Sequence, residues 1–234
     1  MTRIVCAGFL FDMDGVLVDS TPAVARVWSR WAQDHGFDPV WTTKKAHGRP
    51  SMSTIQELLP KASPAVHQQE NEWMEREEIA DVVDVIALPG SLELLSHLPR
   101  NRFAVVTSAT RALAEVRLGA AGLREFAHNM ISSGDIRYGK PDPEPYLKGA
   151  ALLQFPSREC IVIEDAPTGV RSGKAAGSRV MALRTTTPDD ELRAAGADWI
   201  VDDCSAIHLY KGDPRNLLFE LVDFGKNRRQ PKMS

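Results

Sequence analysis

Charge of neither sign is in excess: 28 Lys and Arg stand against 31 Asp and Glu, a net of -3 with a pI near 6.1. That balance gives no electrostatic argument for nucleic acid or for an anionic membrane surface as a partner, since both recruit basic surfaces. Cysteine is scarce. Cys6, Cys160 and Cys204 are an odd number with no CxxC spacing, and two lie inside apolar runs. A disulfide framework is excluded on that pattern, and a reduced, cytoplasmic compartment fits it. No run approaches the roughly 20 apolar residues of a membrane span. The opening MTRIVCAGFLFDMDG meets acidic side chains too soon for a secretory signal and reads as a buried strand. Internal repeats and low-complexity tracts are also missing.

What is present is enough to bury a core: 43% of 234 residues are hydrophobic, as one large domain or as a core with a smaller insert. The short apolar runs IVCAGFLF, FAVVTSA, NMISS, CIVIED, RVMAL and DWIVDD alternate with stretches of helical spacing. This predicts an α/β fold, a Rossmann-like parallel sheet with helices on both faces. The spacing is uneven, because the first run ends at Phe11 and the next starts only at Phe103. A small all-helical insert is therefore expected over residues 19–86, with the core formed by 1–18 and 87–234. Ser20 or Thr21 can cap its first helix, Pro22 suits the first turn, Gly36 can end it, and Val24, Val27, Trp28 and Trp31 make one apolar face. Ser63-Pro64 can start a further helix carrying ENEWMEREE, residues 70–78, whose charges are expected to face water. Leu88-Pro89-Gly90 reads as a turn into a helix from Ser91 to Leu98. After Ile207 the core pattern fades, and the last ~20 residues, ending GKNRRQPKMS, read as a mobile basic tail.

Four places can carry chemistry. Asp12-Met13-Asp14-Gly15 stands where a buried strand ends, and two aspartates at i and i+2 can converge on one hard cation while Gly15 lets the backbone bend close. Glu164-Asp165 follows a second apolar run and offers further oxygen ligands. Ser108 ends Phe103 to Thr107, where a hydroxyl and the following amides can hold phosphate oxygens. Lys140 sits in the proline-stiffened Gly139-Lys140-Pro141-Asp142-Pro143. Each also has a plain structural reading: a polar turn, a helix cap at Ser108, a solvated loop lysine.

Taken in order and spacing, DMDGVLVDS, VVTS, KPDP and IEDAPTGV resemble the four signature motifs of the haloacid dehalogenase-like superfamily, over about residues 8–205. The resemblance implies a Mg²⁺-dependent phosphohydrolase in which Asp12 takes the phosphoryl group and Asp14 acts as acid and then base. Mg²⁺ would be held by Asp12, the Asp14 carbonyl and Asp165, with Glu164 assisting, while Ser108, the adjoining Ala109 amide and Lys140 hold the phosphate. The insert resembles a C1-type cap, with His47-Gly48-Arg49-Pro50 as its substrate loop and Gly48 and Arg49 as contacts, the alternative for these four residues being a plain surface turn. DSTPAVARVW, AHGRP and EDAPTGVRSGKAAG are most similar to small sugar-phosphate and polyol-phosphate phosphatases. The resemblance thus implies a small phosphorylated metabolite as partner, neither nucleic acid nor membrane, and a monomer or homodimer. β-Phosphoglucomutases share the four motifs but carry a histidine where Val24 stands here, so hydrolysis is favoured over phosphoryl return. A non-catalytic binding protein that retains the fold is the alternative of a different class.

Overall fold

The computed structural model describes residues 3–46, 49–210 and 216–221. The basic tail expected at the end of the chain, and His47 and Gly48 of the expected substrate loop, lie outside the described residues. The chain begins with β1 (Arg3–Cys6), β2 (Gly8–Phe11) and β3 (Val18–Asp19), followed by α1 (Thr21–Asp34), α2 (Pro39–Ala46), α3 (Ser51–Leu58) and α4 (Pro64–Ala80). It returns through β4 (Ile86–Ala87) and α5 (Ser91–His97) to β5 (Phe103–Val106), α6 (Arg111–Ala120), β6 (Met130–Ile131), α7 (Glu144–Leu152) and β7 (Cys160–Glu164). The remaining elements are α8 (Pro167–Ala175), β8 (Arg179–Leu183), α9 (Asp189–Ala195), β9 (Trp199–Val201), β10 (Ile207–Tyr210) and β11 (Leu217–Leu221).

Six strands form one parallel sheet in the order β6-β5-β2-β7-β8-β9. Strands covered on both faces need unbroken apolar runs, which FAVV and CIVI supply. Phe9, Phe11, Phe103, Val105, Ile161 and Ile163 join one core cluster with Leu94 and Leu95 of α5 and Ala114 and Leu118 of α6. Leu10, Ala104, Val106 and Val162 join the other, with Tyr146 of α7, Val170 of α8 and Leu192 of α9. Each fully buried Phe among them contributes about 2 kcal/mol of apolar transfer. From β2 the chain first builds outward to β5 and β6, then crosses to β7 on the opposite side. The order reverses between β2 and β7, and open α/β sheets form a ligand crevice beyond the carboxyl ends of their strands at such a point.

Two expectations are corrected. The run IVCAGFLF is two strands rather than one: β1 leaves the parallel sheet and pairs antiparallel with β11, which also pairs with β10. The break falls at Ala7, whose amide donates to the Glu159 carbonyl at 2.8 Å and whose carbonyl accepts from Arg102 Nη1 at 2.9 Å. Nor does the core end at Ile207, since Phe219 of β11 is fully buried, with its ring centroid 5.2 Å from that of Phe9.

Helices α1 to α4 enclose their own apolar cluster of Val27, Trp28, Trp31, Ala46, Ile55 and Met74. Where the chain leaves and re-enters the sheet domain, β3 and β4 pair as a two-residue antiparallel ribbon. Gly36 adopts φ +73° just past α1, and Ser63 Oγ accepts from the Val66 amide at the start of α4, both as the sequence suggests. The acidic run of α4 is not wholly solvated, however. Glu78 is buried, Glu75 is half-buried, and Glu70 accepts from Trp31 Nε1 at 2.8 Å. Among the described residues no helix is long and apolar enough to cross a membrane. Cys6, Cys160 and Cys204 are free and buried, and burial pushes their thiols up to about 12, 11 and 12.

Candidate active site

Asp12 follows β2 and Asp165 follows β7, so the two carboxylates straddle the reversal point. The Asp12 amide donates to the Ile163 carbonyl at 2.9 Å, carrying the strand ladder one residue further before the chain turns. In that turn the amides of Leu17 and Val18 donate to the Met13 carbonyl, at 2.8 and 3.0 Å. Gly15 takes φ +79°, and a Cβ there would stand 2.1 Å from Asp165 Oδ2, so only glycine lets the two strand ends approach. Beyond β8, the Thr185 hydroxyl donates to the Gly15 carbonyl at 2.5 Å and the Thr186 hydroxyl donates to Asp165 Oδ2.

Lys140 comes from the loop after β6 and is buried beneath Asp12. Its Nζ donates to Asp12 Oδ1 and to Glu164 Oε1, each at 2.7 Å, and lies 5.0 Å from the centre of the Tyr146 ring. Glu164 Oε1 also accepts from the Tyr146 hydroxyl at 2.7 Å, while Oε2 accepts from the amides of Asp165 and Ala166 at 2.9 and 3.1 Å. With two donors on each oxygen, Glu164 is an anchor for the lysine and for the turn after β7. Burial disfavours a charged ammonium, but Asp12 and Glu164 outweigh it and hold Lys140 above its ordinary value. Burial pushes the Asp12 carboxyl well above the usual range; Lys140 opposes this, and Glu164 and Asp165 add to it. Tyr146 is pushed up by burial and then by Glu164, so it stays a neutral donor.

The close fit around Glu164 yields a direct test. A Cβ on Gly169 would lie 1.6 Å from Glu164 Oε1, where neither the α8 backbone nor the carboxylate has room to give. Gly169→Ala should destabilise the protein by about 2–3 kcal/mol through overpacking, despite alanine's better helix propensity. Urea unfolding measures it, and wild-type stability would show that Glu164 does not rest against α8.

Asp12, Glu164 and Asp165 bring oxygen atoms within 4.8 Å of one another. Three buried carboxylates face one ammonium, and the excess negative charge with hard oxygen donors fits a divalent cation such as Mg²⁺. Asp14 stands at the pocket wall, where its Oδ1 accepts from Ser20 Oγ at 2.5 Å and from Arg117 Nη1 at 3.0 Å. Ser20 does occupy the cap position of α1, but its hydroxyl serves Asp14 instead of the helix. Ser108 is not the cap of α6 either. Thr110 fills that role, accepting from the Leu113 amide at 3.3 Å, and Ser108 lies on the pocket wall beside Ala109, whose amide donates to Thr107 Oγ1 at 3.1 Å. Arg49 also reaches this wall, bound to Glu57 at 2.8 Å and to Ser53 at 3.0 Å. The pocket has a volume of about 210 Å³, with Asp12, Lys140 and Glu164 on the sheet side and Val24, Asn71 and Glu75 on the helical side.

Sequence reasoning missed Arg117, Glu78, Tyr146 and Thr186. Arg117 Nη2 meets Glu78 Oε1 at 3.4 Å, so one buried guanidinium joins Asp14 to α4. Burial pushes the Glu78 carboxyl up, with Arg117 acting against it. A signal existed for Arg117: it shares a stripe of α6 with Leu113, Ala114 and Leu118, the face that packs inward.

The haloacid dehalogenase-like hydrolase family pattern matches residues 6–177. Hexitol phosphatase A of Escherichia coli strain K12 is 38% identical over 208 residues, covering 88% of this chain and 95% of that protein. Glycerol-1-phosphate phosphohydrolase 2 of Saccharomyces cerevisiae is 33% identical over 232 residues, covering 92% and 90%. A hydrolase structure from Pseudomonas syringae superposes with a TM-score of 0.77 at 25% identity, over 85% of this chain and 94% of that one. The fold, the carboxylates at the reversal point and these matches agree: the chain belongs to the haloacid dehalogenase-like hydrolase family.

Proposed function

We propose that the protein is a Mg²⁺-dependent phosphatase of a small polyol or sugar phosphate, with Asp12 as its nucleophile. The observation that carries this reading is the convergence on one pocket of Asp12, buried Lys140, Glu164 and Ser108, drawn from four strand ends or the loops after them, with Asp165 offering a carboxylate oxygen within 4.8 Å of those of Asp12 and Glu164. The names of the hexitol and glycerol-phosphate relatives support the substrate class.

In this reading a carboxylate oxygen of Asp12 attacks phosphorus as the P–O bond to the alcohol breaks, and Asp14 gives the departing oxygen a proton. Asp14 then takes a proton from water, whose oxygen attacks phosphorus as the bond to the Asp12 oxygen breaks, releasing inorganic phosphate and regenerating Asp12. Lys140, Ser108 and the Ala109 amide hold the non-bridging oxygens, and Glu164 keeps Lys140 in place. Asp12, Asp165 and the Asp14 carbonyl would hold Mg²⁺, which would supply charge to offset repulsion between the carboxylate and the phosphate. Residues 19–86 act as a cap over the site, where Arg49 and Gly48 contact the alcohol portion. Val24 on the pocket wall has no proton to exchange, which favours water over a sugar hydroxyl as the acceptor. Three buried thiols suit a reducing, cytoplasmic setting.

Phosphate release should be followed over p-nitrophenyl phosphate and a panel of hexitol, glycerol and hexose phosphates, with EDTA and with added Mg²⁺. Turnover on a polyol or sugar phosphate, abolished by EDTA and restored by Mg²⁺, is the expected result. Silence across the panel would favour a binding protein. Glucose 6-phosphate formed from β-glucose 1-phosphate and glucose 1,6-bisphosphate would establish a mutase instead.

A further inference from the structure

We propose that Arg117 is a positioning residue, clasping Asp14 to Glu78 so that the placement of α4 controls the orientation of Asp14. As a statement about turnover this rests on the phosphatase reading above. As a statement about the coupling of α4 to Asp14 it stands on geometry alone.

The Arg117 side chain is only 6% exposed, and its two terminal nitrogens reach different elements: Nη1 to Asp14 Oδ1 at 3.0 Å, Nη2 to Glu78 Oε1 at 3.4 Å. A guanidinium presents its donors in a rigid fork, so fixing one end fixes the direction of the other. Burying it without both carboxylates would leave a charge short of partners, which makes the triad hold or release as a unit. Glu75, three residues before Glu78 on the same helix, accepts from the Thr110 hydroxyl at 2.6 Å. Two polar contacts thus join α4 to α6, whereas α1 to α4 keep a separate apolar cluster among themselves. Contacts of this kind can part and re-form without opening a hydrophobic core.

At the other end of the clasp, both donors to Asp14, Ser20 Oγ and Arg117 Nη1, fall on Oδ1. Among the described residues Oδ2 has no protein donor, so it is the oxygen left to exchange a proton. Losing Glu78 would free the fork to rotate, and Asp14 Oδ2 would no longer be held toward the departing oxygen. The acid step then suffers while substrate binding, which depends on Lys140 and Ser108, does not.

The test uses the full chain with Mg²⁺ and the variants Glu78→Gln, which keeps size and leaves Arg117 its Asp14 partner, and Arg117→Lys, which keeps charge without the fork. On an alkyl phosphate, whose leaving oxygen needs a proton, both variants should lower kcat about 10- to 100-fold with KM within about threefold. On p-nitrophenyl phosphate, whose leaving group departs as an anion, the first-turnover burst of nitrophenol should keep its wild-type rate within about threefold. Hydrogen exchange should also quicken in α4 and in the turn holding Asp14, a measurement independent of catalysis. Equal loss on both leaving groups, unchanged kcat on the alkyl phosphate, or unchanged exchange in α4 would each overturn the clasp. If the wild type hydrolyses no phosphate ester, the function fails separately, and exchange alone decides the coupling.

Discussion

Asp12→Asn is expected to lower phosphate release by at least about 10⁴-fold, some 5.5 kcal/mol of transition-state stabilisation, while leaving the fold intact. The substitution keeps side-chain size and removes the anionic oxygen that the proposed mechanism directs at phosphorus. Near-normal turnover would end the assignment of Asp12 as nucleophile. Stability should move in a different direction. The Asp12 carboxyl is held well above the usual range, chiefly by burial, whereas an unfolded aspartate titrates near ~3.9. The folded metal-free protein therefore binds this proton more tightly than the unfolded chain, and stability falls as pH rises from about 4 through the folded-state value. Asparagine has no proton to lose and should flatten that decline. Mg²⁺ should raise the Tm of the wild type more than that of the variant, because it binds the ionised cluster of the native state. Thermal melts at several pH values, with and without Mg²⁺, give both readings; identical pH slopes would show that Asp12 does not carry this cost.

The parts of the site that the sequence made legible are those set locally. Asp12 stands immediately after an apolar run, and Ser108 and Asp165 stand one polar residue beyond theirs, so identifying the strand identifies its end, and Lys140 lies in a loop whose prolines mark it. The sheet itself was legible for the same reason, since unbroken runs such as CIVI fit a strand covered on both faces. What could not be read depended on docking between distant segments. Glu78 sits within a run of acidic residues that looks solvated, and its burial follows from Arg117, 39 positions further along, meeting it across α4 and α6. Its spacing of four from buried Met74 was the available hint. β11 escaped notice because only Phe219 of its five residues is fully buried, too sparse a pattern to distinguish a small covering sheet from a fading end. The split of the first run at Ala7 likewise depends on Glu159 and Arg102, contacts no local pattern contains.

Lys140→Met should destabilise the metal-free protein by about 3–5 kcal/mol, the range for removing one partner from a buried ion pair. Methionine fills similar space, so the loss would come from charge: Asp12, Glu164 and Asp165 would remain within 4.8 Å of one another without the ammonium that lies 2.7 Å from two of them. Adding Glu164→Gln to this variant should recover part of the loss, because one of the uncompensated charges disappears. The glutamine oxygen can still accept from the Asp165 and Ala166 amides, and its NH₂ can face the Tyr146 hydroxyl, which then serves as acceptor. Glu164→Gln alone in the presence of Lys140 should be destabilising, since it breaks the pair from the other side. The two changes are therefore predicted to couple, with the double variant more stable than the sum of the single losses by at least about 1 kcal/mol. Guanidinium unfolding of all four proteins without Mg²⁺ measures that coupling. Simple additivity would mean that Lys140 and Glu164 contribute independently, and that the lysine is held by Asp12 and its loop alone.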